Sequence, residues 1–216
     1  MQIAIPLFDR FTALDAVGPF EVLSRLPDAT VTFIATGPGP VRNETRSLAL
    51  VADVSFEEIP APDVVVVPGG IGSRAMMRNE TMLAWIRDAH RGTRWTISVC
   101  TGALILAGAG LLDGVDAATH WLARDTLAEL GANPVTERVV ERGKIITAAG
   151  VSAGIDMALT LAARIAGDDV AQSIQLSIEY DPAPPFDTGS PETAPAHVVE
   201  LALQAQAQRR RSAGVA

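Results

Sequence analysis

Apolar and amphipathic stretches alternate along the chain, and the alternation predicts strands and helices in turn. The clearest strand is Asp63–Val67, "DVVVV", a β-branched run of the kind that is buried on both faces of a parallel sheet. The other predicted strands are Gln2–Leu7, Thr30–Ala35, Ser47–Val54 (near an edge of the sheet), Trp95–Val99, Val135–Val140 and Lys144–Ala148. Helices are predicted over Ala16–Leu26, Thr81–Arg91, Gly102–Gly110, Leu122–Gly131, Ala153–Ala166 and Asp168–Ile178. This order predicts an α/β fold with a mostly parallel sheet and helices on both faces.

A change in composition marks the end of this pattern. Asp181–Pro195, "DPAPPFDTGSPETAP", is rich in proline and polar residues and predicts an extended arm. A last helix is predicted from Ala196 to about Arg210, followed by a frayed tail. We therefore expect an α/β domain over residues 1–180 and an arm with a terminal helix over residues 181–216.

Charge and cysteine content narrow the class of protein. The 216 residues include 17 basic and 25 acidic ones, a net charge of −8, which opposes binding to nucleic acid. The N-terminus lacks the basic region of a signal peptide, and no apolar stretch approaches the roughly 20 residues that span a bilayer. The single cysteine cannot form an internal disulfide, and no cluster of His, Cys, Asp and Glu has metal-ligand spacing. We expect a soluble cytoplasmic protein with no membrane, nucleic-acid or metal partner.

That single cysteine, Cys100, lies in "ISVCTGALILAGAG", where a predicted strand meets a predicted helix. Ligands of open α/β sheets bind beyond the carboxyl ends of the strands. A helix N-terminus favours an anion and lowers a cysteine pKa, so the position suits a nucleophile, as in a strand–nucleophile–helix elbow. Most lone cysteines are small buried hydrophobic residues, but such a residue is more often found within an element. We therefore predict that Cys100 is a nucleophile with a depressed pKa.

A second turn, "PGGIGSR", ends the Asp63–Val67 strand. Its glycines allow close approach of backbone N–H groups, so the N–H groups of Gly70 and Thr101 could stabilise a developing negative charge. A plain tight turn explains the same spacing equally well. The segment has neither the phosphate-loop nor the dinucleotide-binding spacing.

Candidate proton donors and acceptors are few. His90, in a polar helix, is expected to be solvated, and His197 lies beyond the arm. His120, in "ATHW", could cap the residues from Trp121 onward or approach the site. Asp15, in "ALDAVGPFEVL", lies between the first strand and the first helix, so it could serve as the carboxylate partner of the cysteine or only as an N-cap.

The "PGG" turn, the "SVCTGAL" elbow and the "ATHW" segment resemble the ThiJ/PfpI superfamily over almost the whole chain. The resemblance implies a flavodoxin-like three-layer sandwich, related to class I glutamine amidotransferases, with a nucleophile elbow. Within that superfamily, "LDAVGPFEVL", "AGVSAGIDMALTLAA" and "QLSIEYDPAPPFDTGSPETAP" resemble isonitrile hydratases. Thr101 stands where protease-like relatives carry histidine, which argues against peptide hydrolysis.

The resemblance implies a homodimeric, cofactor-free enzyme that converts an isonitrile and water to an N-substituted formamide. The chemistry of a cysteine beside an acid predicts that this reaction passes through a cysteine thioimidate. Cys100 would be the nucleophile, Asp15 the acid beside its sulfur, and Thr101 the catalytic residue next to the nucleophile. The arm is expected to pack on its own domain or on the dimer partner. Two other functions stay open, namely a glyoxalase- or deglycase-like enzyme acting on 2-oxoaldehydes and a non-enzymatic redox sensor or chaperone.

Overall fold

The computed structural model describes residues 1–213 and is built around a twisted central sheet. The strands along the chain are β1 (Gln2–Pro6), β2 (Thr30–Ala35), β3 (Gly39–Arg42), β4 (Ala49–Ala52), β5 (Val54–Ser55), β6 (Val64–Val67), β7 (Trp95–Val99), β8 (Asp116–Ala117), β9 (Asn133–Pro134), β10 (Val139–Arg142) and β11 (Ile145–Ala148). Seven of them form the main sheet in the order β10-β11-β7-β6-β1-β2-β5, in which only the edge strand β10 is antiparallel to its neighbour.

Seven α-helices belong to the same part of the chain as this sheet, namely α1 (Ala13–Leu23), α2 (Ser73–Met76), α3 (Glu80–Gly92), α4 (Gly102–Gly108), α5 (Arg124–Glu129), α6 (Ala153–Ala166) and α7 (Asp168–Ser177). An eighth, α8 (Ala196–Ala213), lies in the C-terminal segment. One group consists of α1, α6 and α7, and α4 packs with α2, α3 and α5 in a second group. All four residues of β6 are buried, and because successive side chains of a strand point to opposite faces, both faces are covered. The predicted α/β sandwich with a mostly parallel sheet is confirmed.

Several predicted boundaries agree with the structure residue by residue. Thr30–Ala35, Trp95–Val99 and Ala153–Ala166 begin and end where the sequence predicts. The predicted hairpin across "RGK" is the antiparallel pair β10–β11, although β10 begins later than predicted, at Val139. These elements are long apolar runs or end at turn residues, so their local pattern and their tertiary setting agree.

Other predictions were wrong in detail. Helix α1 begins three residues earlier than predicted, because Thr12 rather than Asp15 is its N-cap. The predicted edge strand Ser47–Val54 is shorter and pairs as β4 with β3, a strand the sequence pattern did not show. The predicted helix Leu122–Gly131 is a 3₁₀ turn, Trp121–Ala123, followed by the short α5.

The chain divides into two compact units, Met1–Glu179 and a second that begins at Tyr180. In the second unit, residues 181–195 form no helix or strand, and a turn in which Thr193 and Ala194 donate to the Ser190 carbonyl precedes α8. Helix α8 continues past the predicted end at Arg210 to Ala213, so this part of the predicted frayed tail is helical, and the last three residues lie outside the described chain. None of the helices in residues 1–213 is long and apolar enough to cross a lipid bilayer.

Candidate active site

Cys100 occupies a tight joint between β7 and α4. Its φ of +57° lies in the left-handed region, which costs a residue with a side chain about 1–2 kcal/mol. Its N–H donates to the carbonyls of Ala148 and Ala149 at 3.1 and 3.0 Å, and its carbonyl accepts from the Thr119 hydroxyl at 2.9 Å. These bonds hold the strained backbone in place. The predicted position of Cys100 between strand and helix is therefore present in the structure.

Gly102, at the start of α4, is required for a reason that the sequence did not reveal. It is not among the residues with positive φ, so sharp turning is not its role. A Cβ atom there would overlap the carbonyl oxygen of Val67 at the end of β6. The glycine lets α4 start directly against the neighbouring strand, and this brings the elbow close to the "PGG" turn.

Asp15 lies in the first turn of α1 and has no exposed surface. The Gly69 N–H donates to its Oδ2 at 2.9 Å. Its carboxyl group also interacts with the Cys100 thiol, so the structure brings the two predicted residues together. Among the described residues, Oδ1 has no hydrogen-bond partner within ordinary geometric limits. Because Thr12 occupies the N-cap position, the alternative that Asp15 serves only as an N-cap is wrong.

Burial controls the protonation of this pair. It raises the pKa of Asp15 to about 8, outweighing the Gly69 N–H and the Cys100 thiol, which lower it, while the charge of Glu44 raises it further. Burial also raises the pKa of Cys100 well above its ordinary value, and Asp15 adds to that rise. The N–H groups of Val151 and Thr101 lower the Cys100 pKa, but by less than burial and Asp15 raise it. The predicted depression of the Cys100 pKa is therefore wrong: at neutral pH both groups hold their protons, and Asp15 loses its proton first.

The "PGG" turn joins the elbow to the start of α1. The Gly70 N–H donates to Thr101 Oγ1 at 2.8 Å, and that hydroxyl donates back to the Gly70 carbonyl at 3.1 Å. A Cβ atom on Gly69 would lie 2.5 Å from the Thr101 nitrogen and 2.9 Å from Asp15 Oδ2. Glycine is thus needed here for close approach, and the alternative of a plain turn does not account for these contacts.

The predicted pair of backbone donors needs a correction. The Gly70 N–H is taken up by the Thr101 side chain, whereas the N–H groups of Thr101 and Val151 both interact with the Cys100 sulfur. Val151 has a φ of +21°, an unusual value for a β-branched residue. Sequence reasoning missed Val151, although it lies in the quoted segment "AGVSAGIDMALTLAA", because nothing in the local pattern shows which backbone N–H faces the sulfur.

His120 caps the 3₁₀ turn, since its Nδ1 accepts from the Leu122 N–H at 3.3 Å. Its ring packs on Gly150, where a Cβ atom would lie 2.9 Å from Cδ2, directly before Val151. Burial and then the charge of Arg124 lower the His120 pKa, so the ring stays neutral. The predicted cap is present, and the ring packs one residue away from a donor to Cys100.

The other two histidines are not among the residues that surround Cys100. His90 Nδ1 is bonded to Thr96 Oγ1 at 2.8 Å, near the start of β7 and far from Cys100, so the ring is partly buried rather than fully solvated as expected. His197 lies in α8. Within residues 1–213, no cluster of three or more His, Cys, Asp or Glu residues could hold a metal ion.

Comparison with known proteins gives the family. Residues 1–164 match the model of the DJ-1/PfpI family. The chain is 48% identical over 202 residues to isonitrile hydratase from Pseudomonas putida, covering 94% of this chain and 88% of that protein.

Solved structures agree with this assignment. A ThiJ/PfpI family protein from Pseudomonas syringae superposes with a TM-score of 0.92 at 38% identity, covering 97% of this chain and 87% of that one. DJ-1beta from Drosophila melanogaster has a TM-score of 0.76 over 84% of this chain and 98% of that one, and at 22% identity it supports the fold alone. This protein belongs to the DJ-1/PfpI family.

Proposed function

We propose that this protein is an enzyme that hydrates isonitriles to N-substituted formamides without a cofactor. The observation that carries the proposal is the buried Asp15 carboxyl, held in its acid form beside Cys100 with Oδ1 left without a partner. An isonitrile carbon must gain both a nucleophile and a proton, and this pair offers one of each. The 48% identity to a protein named isonitrile hydratase supports the same substrate class.

The first step joins substrate and enzyme. The Cys100 sulfur attacks the terminal carbon of the isonitrile while Asp15 delivers a proton to that carbon. The thiol proton passes to the Asp15 carboxylate, which restores the acid. The net change is addition of S–H across the carbon, R–N≡C + HS–Cys giving R–N=CH–S–Cys, a thioimidate.

The second step releases the product. Water adds to the thioimidate carbon, and the nitrogen takes a proton from Asp15, which regains one from the attacking water. The resulting tetrahedral adduct, R–NH–CH(OH)–S–Cys, breaks its C–S bond as its hydroxyl loses a proton, and that proton passes through Asp15 to the departing sulfur, which leaves R–NH–CHO and the free thiol. The N–H groups of Thr101 and Val151 interact with the sulfur and stabilise its negative charge as it departs. The Thr101 hydroxyl, bonded twice to Gly70, holds the elbow against the turn and so positions these groups.

The two alternative functions, a redox sensor and an enzyme acting on 2-oxoaldehydes, are less well supported by the site. A redox sensor reacts through an exposed thiolate, whereas Cys100 is only 4% exposed and has a raised pKa. No contact in the site favours a 2-oxoaldehyde. An assay of the purified protein with cyclohexyl isonitrile, followed by chromatography of the formamide, is expected to show turnover, whereas methylglyoxal is expected to give no lactate. Lactate formation without formamide, or a peroxide-dependent gain in mass without turnover of either substrate, would overturn the proposal.

We further propose that the protein is a cytoplasmic homodimer, and that the arm over residues 181–195 docks on its own domain or on the partner. Phe186 in the arm and Leu201 and Leu203 in α8 are exposed apolar side chains, which suits burial against a further surface. Light scattering is expected to give a dimer mass at micromolar concentration, and the arm is expected to resist limited proteolysis. A monomer mass would contradict the dimer, and rapid cleavage within the arm would contradict its docking.

A further inference from the structure

Glu44, in the loop after β3, is a carboxylate that the proposed mechanism does not use, although its side chain contacts Thr12 at the start of α1. The Thr12 hydroxyl donates to Glu44 Oε2 at 3.1 Å. The Glu44 N–H donates to the Phe11 carbonyl at 2.9 Å, and Phe11 pairs with Asn43 in a parallel bridge. Backbone and side chain are therefore both fixed, and the position of this charge does not depend on a flexible surface rotamer.

Thr12 connects Glu44 to Asp15 by short, direct contacts. Its N–H donates to the Gly69 carbonyl at 2.8 Å, and its carbonyl accepts from the Asp15 N–H at 3.1 Å. Gly69 in turn donates to Asp15 Oδ2 at 2.9 Å. The Glu44 carboxylate thus contacts the residue that anchors both the catalytic helix turn and the "PGG" turn.

Two arginines of this region pair with Asp9 rather than with Glu44. Arg46, two residues away, pairs with Asp9 at 3.2 Å, and Arg10 lies 3.9 Å from the same carboxylate. Among the described residues, Glu44 forms no salt bridge. The titratable groups that act on the Asp15 carboxyl are the Cys100 thiol and Glu44, and Glu44 raises the pKa of Asp15.

We propose that Glu44 is a positioning residue, whose negative charge, held beside Thr12, adds to the effect of burial on Asp15 and so moves the upper pH limit of the reaction to higher pH. The inference rests on the proposed function, since it concerns the acid of that reaction. Its physical basis is that a nearby negative charge opposes ionisation of a second carboxyl group. Without it, Asp15 would lose its proton at a lower pH, and a smaller fraction of the enzyme could protonate the isonitrile carbon at a given alkaline pH.

The test compares Glu44→Gln with two matched variants. Glutamine keeps an oxygen that can accept from Thr12 but removes the charge, Glu44→Asp keeps the charge, and Glu57→Gln removes an equal charge from an exposed position elsewhere. We expect the alkaline limb of kcat/KM in Glu44→Gln to move to lower pH by roughly half a unit, the size expected for one charge acting through solvated protein. Glu44→Asp, which keeps the charge on a shorter side chain, should move the limb less than Glu44→Gln, and Glu57→Gln should match the wild-type midpoint. An unchanged limb in Glu44→Gln, or an equal shift in Glu57→Gln, overturns the proposal.

A second readout separates this inference from the proposed function. The ionisation of Asp15 can be followed by ¹³C NMR of aspartate-labelled protein, with Asp15→Asn used to assign its carboxyl signal. A lower Asp15 midpoint in Glu44→Gln supports the role of Glu44 even if no isonitrile is turned over, in which case only the proposed function fails. Equal midpoints in an active enzyme overturn the role of Glu44 alone. If Glu44→Gln does not fold, Thr12→Val, which releases the carboxylate from its anchor, is expected to shift the midpoint in the same direction, and no shift there overturns the inference.

Discussion

The polar groups at the two ends of β7 differ in how completely they are hydrogen-bonded. At its start, Thr96 Oγ1 lies 2.8 Å from both His90 Nδ1 and Thr93 Oγ1, while Lys144 Nζ donates to the carbonyls of His90 and Thr93. At its other end, Cys100 has a strained backbone and the buried Asp15 Oδ1 has no hydrogen-bond partner within the described chain. Fully partnered buried groups stabilise a fold, whereas strain and unsatisfied groups tend to cluster at functional sites, which agrees with the proposed role of this end of β7.

The largest effect is expected from Cys100→Ala. Removing the sulfur eliminates the proposed covalent step, so formamide formation should be abolished, while the free energy of unfolding should change by no more than about 1–3 kcal/mol. Product assays and urea unfolding of the same preparation check both statements. Substantial turnover by the folded variant would remove Cys100 from the mechanism.

The next largest effect concerns Asp15→Asn. Asparagine keeps the shape and can still accept from Gly69, but it cannot deliver a proton to carbon. We expect turnover to fall by at least about 10²-fold. Thiolate absorbance against pH should also show a lower Cys100 pKa, because Asp15 raises it. A variant with wild-type rates would mean that another group supplies the proton.

The same substitution should make the protein more stable. The folded-state pKa of Asp15, about 8, lies above its unfolded value of about 3.9, so the folded state keeps a proton that the unfolded state loses. Stability therefore falls as the pH rises from about 4 to about 8, and Asp15→Asn avoids this loss. We expect a gain of about 1–3 kcal/mol at pH 7, reduced near pH 4, measured by urea unfolding at both pH values. If the wild type and Asp15→Asn had the same free energy of unfolding at both pH values, the cost of burying Asp15 would be small.

A smaller loss is expected at the other end of β7. Lys144 is the only lysine of the chain, and its ammonium group bonds two carbonyls at the C-terminal end of α3. Lys144→Met should lower the free energy of unfolding by about 1–2 kcal/mol without changing turnover. Arg164→Met, which breaks the exposed pair with Glu141, serves as the control and should cost about 0–1 kcal/mol. A loss of turnover in Lys144→Met would show that the two ends are coupled.

The smallest effect concerns His90, whose pKa is lowered by burial and then by the charge of Lys144. Because the folded-state pKa lies below the unfolded one, the unfolded state binds more protons, and stability is lost as the pH falls from about 6.5. His90→Asn retains an acceptor for Thr96 and should reduce the loss of stability between pH 7 and pH 5. Some loss should persist, since the His120 pKa is lowered as well. An unchanged pH dependence would exclude His90 as a cause.

The sequence predicted the scaffold better than the site. Short strands such as Trp95–Val99 show their structure in their own pattern, and the position of Cys100 was predicted because the joint of strand and helix is local. The strand Gly39–Arg42 was missed, since it has no strand pattern and depends on pairing with β4.

The electrostatics of the site could not be predicted from local sequence. A helix N-terminus indicated a depressed Cys100 pKa, but burial and Asp15, 85 residues earlier in the chain, reverse the direction. The contacts of Gly69 with Asp15 and of Thr12 with Glu44 likewise join distant segments. Such properties belong to the tertiary structure, where several elements meet.

The central claim is that Asp15 acts in its acid form beside a protonated Cys100, and the pH dependence of kcat/KM for formamide formation tests it most directly. If the account is right, the rate is highest below about pH 7 and falls through a single midpoint near 8 as Asp15 ionises. If a free thiolate were the only requirement, the rate would instead rise with pH as Cys100 loses its proton. A rate that increases between pH 7 and pH 9 would therefore contradict the account.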